Sequence, residues 1–152
     1  MANTQAMATS FKAELLNAYH NFSATNPART INTADSFKAA LYLASATINS
    51  TTTVYTTTGE VTGTNYTAGG VAITSWNAPS SSGTTAFTTP TASITYTTVS
   101  LTTAFDCVLI YNFTQGNRAV SAHTFGSQTV TAGTFTLTMP TNNSTSALIR
   151  LA

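Results

Sequence analysis

In three short runs of this chain, Ile94-Thr95-Tyr96, Val99-Ser100-Leu101 and Phe135-Thr136-Leu137-Thr138-Met139, apolar residues fall at every second position with a hydroxyl residue between them. A period of two places alternate side chains on opposite faces of a strand, one toward a core and one toward solvent. Threonine, roughly a quarter of the residues, suits that role: it is β-branched, prefers a pleated surface, and solvates the outer face without charge. Charged residues make up only 6% of the chain, against about 25% in an ordinary soluble domain. Between residues 39 and 105 the only charge is Glu60.

Asp106 to Phe113 is nearly continuous in apolar residues, the pattern of a strand buried on both faces. Further strands are expected at Phe37–Ala44, Val71–Trp76, Ala119–Phe125 and Ala147–Leu151. Gly-, Pro- and Asn-containing turns separate them, at Gln115-Gly116-Asn117-Arg118, Gly126-Ser127, Ala132-Gly133 and Pro140. About eight short strands at this spacing predict an all-β, antiparallel β-sandwich, with a jelly roll as the leading topology. No fixed-period repeat supports a propeller or solenoid.

The N-terminal part differs. Phe11, Leu15, Ala18, Tyr19 and Phe22 recur on one helical face, which predicts an amphipathic helix over about 9–22, capped by Thr9 or Ser10 and ending near His20. Lys12 and Glu14 fall off that stripe. Pro27 interrupts the following segment. The organisation expected is an arm over 1–34 and a sandwich over 35–152. The apolar stripe packs either on its own domain or on a neighbouring subunit.

Chemistry-bearing residues are few. Glu60 and Asp106 are the only carboxylates placed to form a facing pair, and neither sits in a local motif. Cys107 and His123 could meet across paired strands, but the apolar run around Cys107 reads as housing a buried structural thiol. His20, His123 and Cys107 show no zinc-ligand spacing, no phosphate or dinucleotide loop occurs, and the five Lys and Arg residues form no basic cluster. The expectation is a non-enzyme with no cofactor, no metal, no nucleic acid and no membrane partner; no secretory leader is read at the N-terminus. Candidate protein-interface residues are Phe11, Leu15, Tyr19, Phe22, Glu60 and Trp76. Glu60 is either an anchor at a subunit contact, or a solvated loop carboxylate or a cap for local amides. Trp76 is either a hot spot or core. Tyr42, Tyr66, Tyr96 and Tyr111 suit core packing or a sugar-stacking surface. A surface so poor in charge is weakly protected against association, and a homo-oligomer is expected, with a trimer favoured.

The stretch Thr56-Thr57-Thr58-Gly59-Glu60-Val61-Thr62-Gly63-Thr64-Asn65-Tyr66-Thr67-Ala68-Gly69-Gly70 resembles a segment of small structural proteins of tailed bacteriophages. Phe37-Lys38-Ala39-Ala40-Leu41-Tyr42 upstream, Leu109-Ile110-Tyr111-Asn112 downstream and Ser10-Phe11-Lys12-Ala13-Glu14-Leu15-Leu16 near the N-terminus follow the same order. The resemblance implies a virion protein, made in a bacterial cytoplasm: a capsid cement or decoration protein, or a collar, neck, tail-fibre or baseplate component. A receptor- or carbohydrate-binding module on the particle is a rival expectation of a different class. It implies no catalytic residues.

Overall fold

A computed structural model describes residues 2–16, 19–22 and 33–152. Strand β1 (Ala6–Met7) and helix α1 (Thr9–Leu16) form the arm. They are followed by β2 (Phe37–Leu43), β3 (Val71–Ile73), β4 (Ser80–Ser82), β5 (Thr85–Thr88), β6 (Ile94–Asn112), β7 (Arg118–Leu137) and β8 (Ile149–Leu151). The fold is all-β, with two antiparallel sheets ordered β1-β7-β6-β2-β3 and β4-β5-β8. Sequence neighbours β2 and β3, β4 and β5, and β6 and β7 lie side by side within a sheet, so the strand order does not confirm the expected jelly roll.

The larger sheet is organised by one long hairpin, β6 and β7, joined by the turn Phe113–Asn117, where Gly116 and Asn117 take positive φ. The sequence reading divides each of these strands into shorter ones. The turns it places at Gly126-Ser127 and Ala132-Gly133, and the gaps between its alternating runs at residues 97–98 and 102–105, coincide with register shifts inside a continuous ladder, with Thr98 and Ala132 at positive φ. β-Bulges use the same residues as turns but bend a strand without ending it.

In the half of the hairpin nearest the turn, β6 is sandwiched on both faces. Phe105, Cys107, Val108, Leu109, Ile110, Tyr111 and Asn112 are all buried, as the apolar run predicts. Ring contacts extend the core: Phe22 stacks on Phe37 at 4.6 Å, and Trp76 meets both edge-on, at 4.9 and 5.4 Å. Ala8, Phe11 and Phe22 belong to the same buried cluster as β2 and β6, so the arm and the sheet share one core.

The helix is shorter than expected. It stops at Leu16, and Tyr19–Phe22 are not helical; Asn17 and Ala18, where the stripe continues, lie outside the described residues. A helix running to residue 22 would carry Phe22 about 16 Å along the axis from Phe11. Their ring centroids are 6.2 Å apart. The chain turns back after α1, with the Tyr19 N–H donating to the Glu14 carbonyl, and burying both phenylalanines against one sheet outweighs continuing the helix.

Candidate functional site

Two polar clusters and one cleft gather the residues that could carry chemistry. The first surrounds Glu60, which the segment from Gly59 to Gly70 brings onto the sheet. Glu60 is only 6% exposed. Tyr55 donates to its Oε2 at 2.6 Å, and Tyr66 and the Gly69 N–H donate to Oε1 at 2.7 and 2.8 Å. The segment is fastened further by Tyr111, which donates to the Gly69 carbonyl at 2.8 Å and stacks on Tyr55, and by Tyr96, which stacks on Tyr66. Tyr42 donates to the Thr56 carbonyl at 2.6 Å.

Glycine is required where this loop meets the sheet. A Cβ on Gly70, at φ +69°, would lie 1.7 Å from the Ala39 carbonyl oxygen, and one on Gly63 would lie 2.0 Å from that of Ser100. Burial first, and the Glu60 charge after it, raise the Tyr55 and Tyr66 phenols well above the ordinary tyrosine range; the same two causes bring Tyr111 to about 12. These tyrosines stay protonated and donate, and Glu60 accepts from three donors at once. Of the readings open for Glu60, the geometry is that of an internal cap and not of a solvated loop carboxylate.

The second cluster holds the arm. Glu14 is buried, contrary to the expectation that it lies off the packed face. It accepts from Arg118 at 2.6 Å and from His20 Nε2 at 2.7 Å. Asn112 Nδ2 donates to His20 Nδ1 at 3.1 Å and to Asp35 Oδ2 at 2.8 Å, which leaves His20 neutral with its proton on Nε2. Burial lowers the imidazole's pKa, with the Glu14 bond acting in the opposite direction. Asp35 also accepts from the Asn21 N–H and from Gln115. Nearer the N-terminus, Asn3 donates to Asp106 at 2.6 Å and to the Leu43 carbonyl.

The cleft, of about 390 Å³, opens between β1, β7 and β8 and is lined among others by Met7, Ser121, His123, Leu148 and Arg150. Ser121 Oγ and His123 Nε2 are 2.9 Å apart at its wall, and burial brings the His123 pKa down to about 4. Cys107 does not join them. It pairs in register with Thr124, while Val108 pairs with His123, so Cys107 and His123 point to opposite faces of the sheet. Burial, and then the Asp106 charge, raise the Cys107 thiol to about 12. Glu60 and Asp106 are each held by their own partners, and among the described residues no hydrogen bond joins them to a common site. Among the described residues no group of three or more His, Cys, Asp and Glu is placed to hold a metal, and no helix is long and apolar enough to cross a membrane.

The six interface candidates do not form one surface. Phe11, Phe22 and Glu60 are buried within the chain, and Trp76 is half-buried against Phe22 and Phe37. Leu15 packs partly on the same core. Only Tyr19 is open, 40% exposed, with the Arg118 guanidinium 4.4 Å above its ring. The tyrosines considered for a sugar-stacking surface are also internal: Tyr42, Tyr96 and Tyr111 are buried, and Tyr66 is half-buried. What sequence reasoning missed is the fastening role of Glu14, Asp35, Asn112 and Arg118. The one available signal was Asn112, an amide closing an otherwise apolar buried run.

No protein-family model, curated protein or solved structure matches this chain.

Proposed function

We propose that this protein is a structural subunit of a tailed-bacteriophage particle, and specifically a cement or decoration protein that binds the outside of the assembled head as a homo-oligomer. The observation that carries this reading is the uncharged skin. From Ala119 to Ile149 the chain contains no Asp, Glu, Lys or Arg, yet Thr129, Thr131, Thr134 and Thr136 present their faces to solvent. A surface of hydroxyl and half-covered apolar groups carries little charge to desolvate on contact with another protein, and little charge to keep copies apart. The resemblance of the Thr56–Gly70 segment supports the assignment to a virion.

A protein that binds only the assembled shell stabilises it by mass action, and many copies multiply a modest affinity per site. Expanded heads purified with and without the protein should therefore melt at different temperatures, the decorated ones higher. Identical melting curves would remove the cement function. Copy number separates the head from the neck or tail: hundreds of copies per particle support decoration of the head, whereas a ring-sized complement supports a collar or tail component.

A further inference from the structure

The edges of the two sheets are unequal. β1 has two residues, and β3, β4 and β8 have three each, the short edges by which sheets avoid pairing with foreign strands. β7 is different. β1 covers it only at Ser121 and Ala122, and beyond Thr124 no described strand pairs with its outer edge as far as Leu137. That open edge, Phe125 to Leu137, is 13 residues long, roughly 45 Å if fully extended.

Along the same stretch, Phe125, Val130, Phe135 and Leu137 stay half-buried, while the β6 residues paired with the last three, Leu101, Tyr96 and Ile94, and the Phe105 ring that meets Phe125 and Phe135 are sealed in the core. The outward face carries Thr129, Thr134 and Thr136. Register shifts near Gly126, between Gln128 and Val130 and around Ala132 interrupt the strand and leave Phe135–Leu137 as its regular stretch, enough for a bounded contact but not for an endless ladder.

We infer that the outer edge of β7, from Phe125 to Leu137, is the surface through which two copies of this chain join, antiparallel across a twofold axis. The occupant follows from charge. A partner strand bearing Lys, Arg, Asp or Glu would lose hydration at this edge without gaining a counter-charge. A second β7 brings none, sets threonine against threonine, and covers the half-open apolar row. Larger assemblies would be built from such pairs. The inference rests on the oligomeric part of the reading above, but it is tested separately from particle binding.

Sedimentation velocity of the full chain decides it. The wild type should sediment as a dimer or a multiple of one. The double variant Thr129→Lys, Thr134→Lys places like charges across the contact on outward positions that the fold leaves exposed, and should weaken association by at least ~10-fold. Thr57→Lys, on an exposed loop elsewhere, should leave association unchanged, and unaltered far-UV circular dichroism and melting of the unassociated double variant would show that its fold is intact. A wild type that stays monomeric, or a double variant that associates as the wild type does, overturns the inference. Shell melting reads head binding alone, so either reading can fail while the other stands.

Discussion

Replacing Glu60 with alanine should be among the most damaging single changes in this protein. The carboxylate accepts from Tyr55, Tyr66 and the Gly69 N–H, at 2.6 to 2.8 Å. Glu60→Ala leaves three donors without their acceptor. Each unsatisfied buried donor costs about 1–3 kcal/mol. The Gly69 N–H is the most enclosed of the three, while Tyr55 and Tyr66 are half-buried and can regain part of their bonding from water. A loss of about 3–5 kcal/mol is therefore expected, roughly 10 °C in Tm for a domain of this size. Glu60→Gln keeps an acceptor oxygen and should lose only about 1 kcal/mol, the difference between charge-assisted and neutral bonds. The assay is urea unfolding monitored by tyrosine fluorescence and circular dichroism, with the change read from the midpoint at constant m. If Glu60→Ala unfolds within about 0.5 kcal/mol of the wild type, as a surface substitution would, the carboxylate is solvated and the account of how the 59–70 segment is pinned is wrong.

Three further outcomes follow from the geometry. Gly70→Ala, with its Cβ forced against the Ala39 carbonyl, should prevent folding or leave the protein insoluble, whereas Gly116→Ala, at φ +67° with open space around it, should lower stability by only about 1–2 kcal/mol in the same urea titration. Because burial lowers the His123 pKa from 6.5 to about 4, the unfolded chain binds this proton first. Its stabilising effect is complete above about pH 6.5 and is lost as pH falls toward 4; His123→Gln should flatten that part of the stability–pH curve by about 2 kcal/mol, a figure reduced for the ring's half-exposure, and an unchanged slope would refute the half-buried neutral imidazole. Cys107, fully buried with its thiol raised to about 12, should react with a thiol reagent at neutral pH only at the rate of unfolding, and prompt labelling of the native protein would contradict its placement.

The sheet class was legible because period two and β-branched composition act locally, at each strand. Strand continuity was not. Gly126-Ser127 and Ala132-Gly133 have the composition of turns, and only the long-range pairing of β7 with β6 makes them bulges. The arm shows the same division. The apolar stripe marked Phe11 and Phe22 without deciding between their own core and a neighbouring subunit, and helical periodicity alone could not reveal that the chain reverses between them. Glu14 looked like a solvent-facing charge because its partners, His20 across that reversal and Arg118 at 104 residues' separation, are set by tertiary structure. Glu60 stood out only as an isolated charge, and the tyrosines that receive it could not be read from spacing.

The four carboxylates have one use in common: each is bonded inside the molecule, and three of them fasten the arm or its return. Asp106 holds Asn3, Glu14 holds Arg118 and His20, and Asp35 holds the Asn21 N–H. An arm removed to test docking on a neighbour would therefore remove part of this chain's own core. Phe11 and Phe22, at 0% and 8% exposure, are each worth about 3–5 kcal/mol by truncation, which together approaches the whole stability of a typical domain, about 5–15 kcal/mol. Deleting residues 1–34 should yield a chain with no cooperative melting transition, and its failure to bind a particle would say nothing about docking. Tyr19→Ala is the informative change, because that ring is exposed and leaves the core intact. It should shift the urea midpoint by less than about 1 kcal/mol, so any loss of particle binding would report a contact made by the arm. If the truncated chain instead melts cooperatively near the wild-type temperature, the arm is not part of the core and its helix is free to reach another subunit.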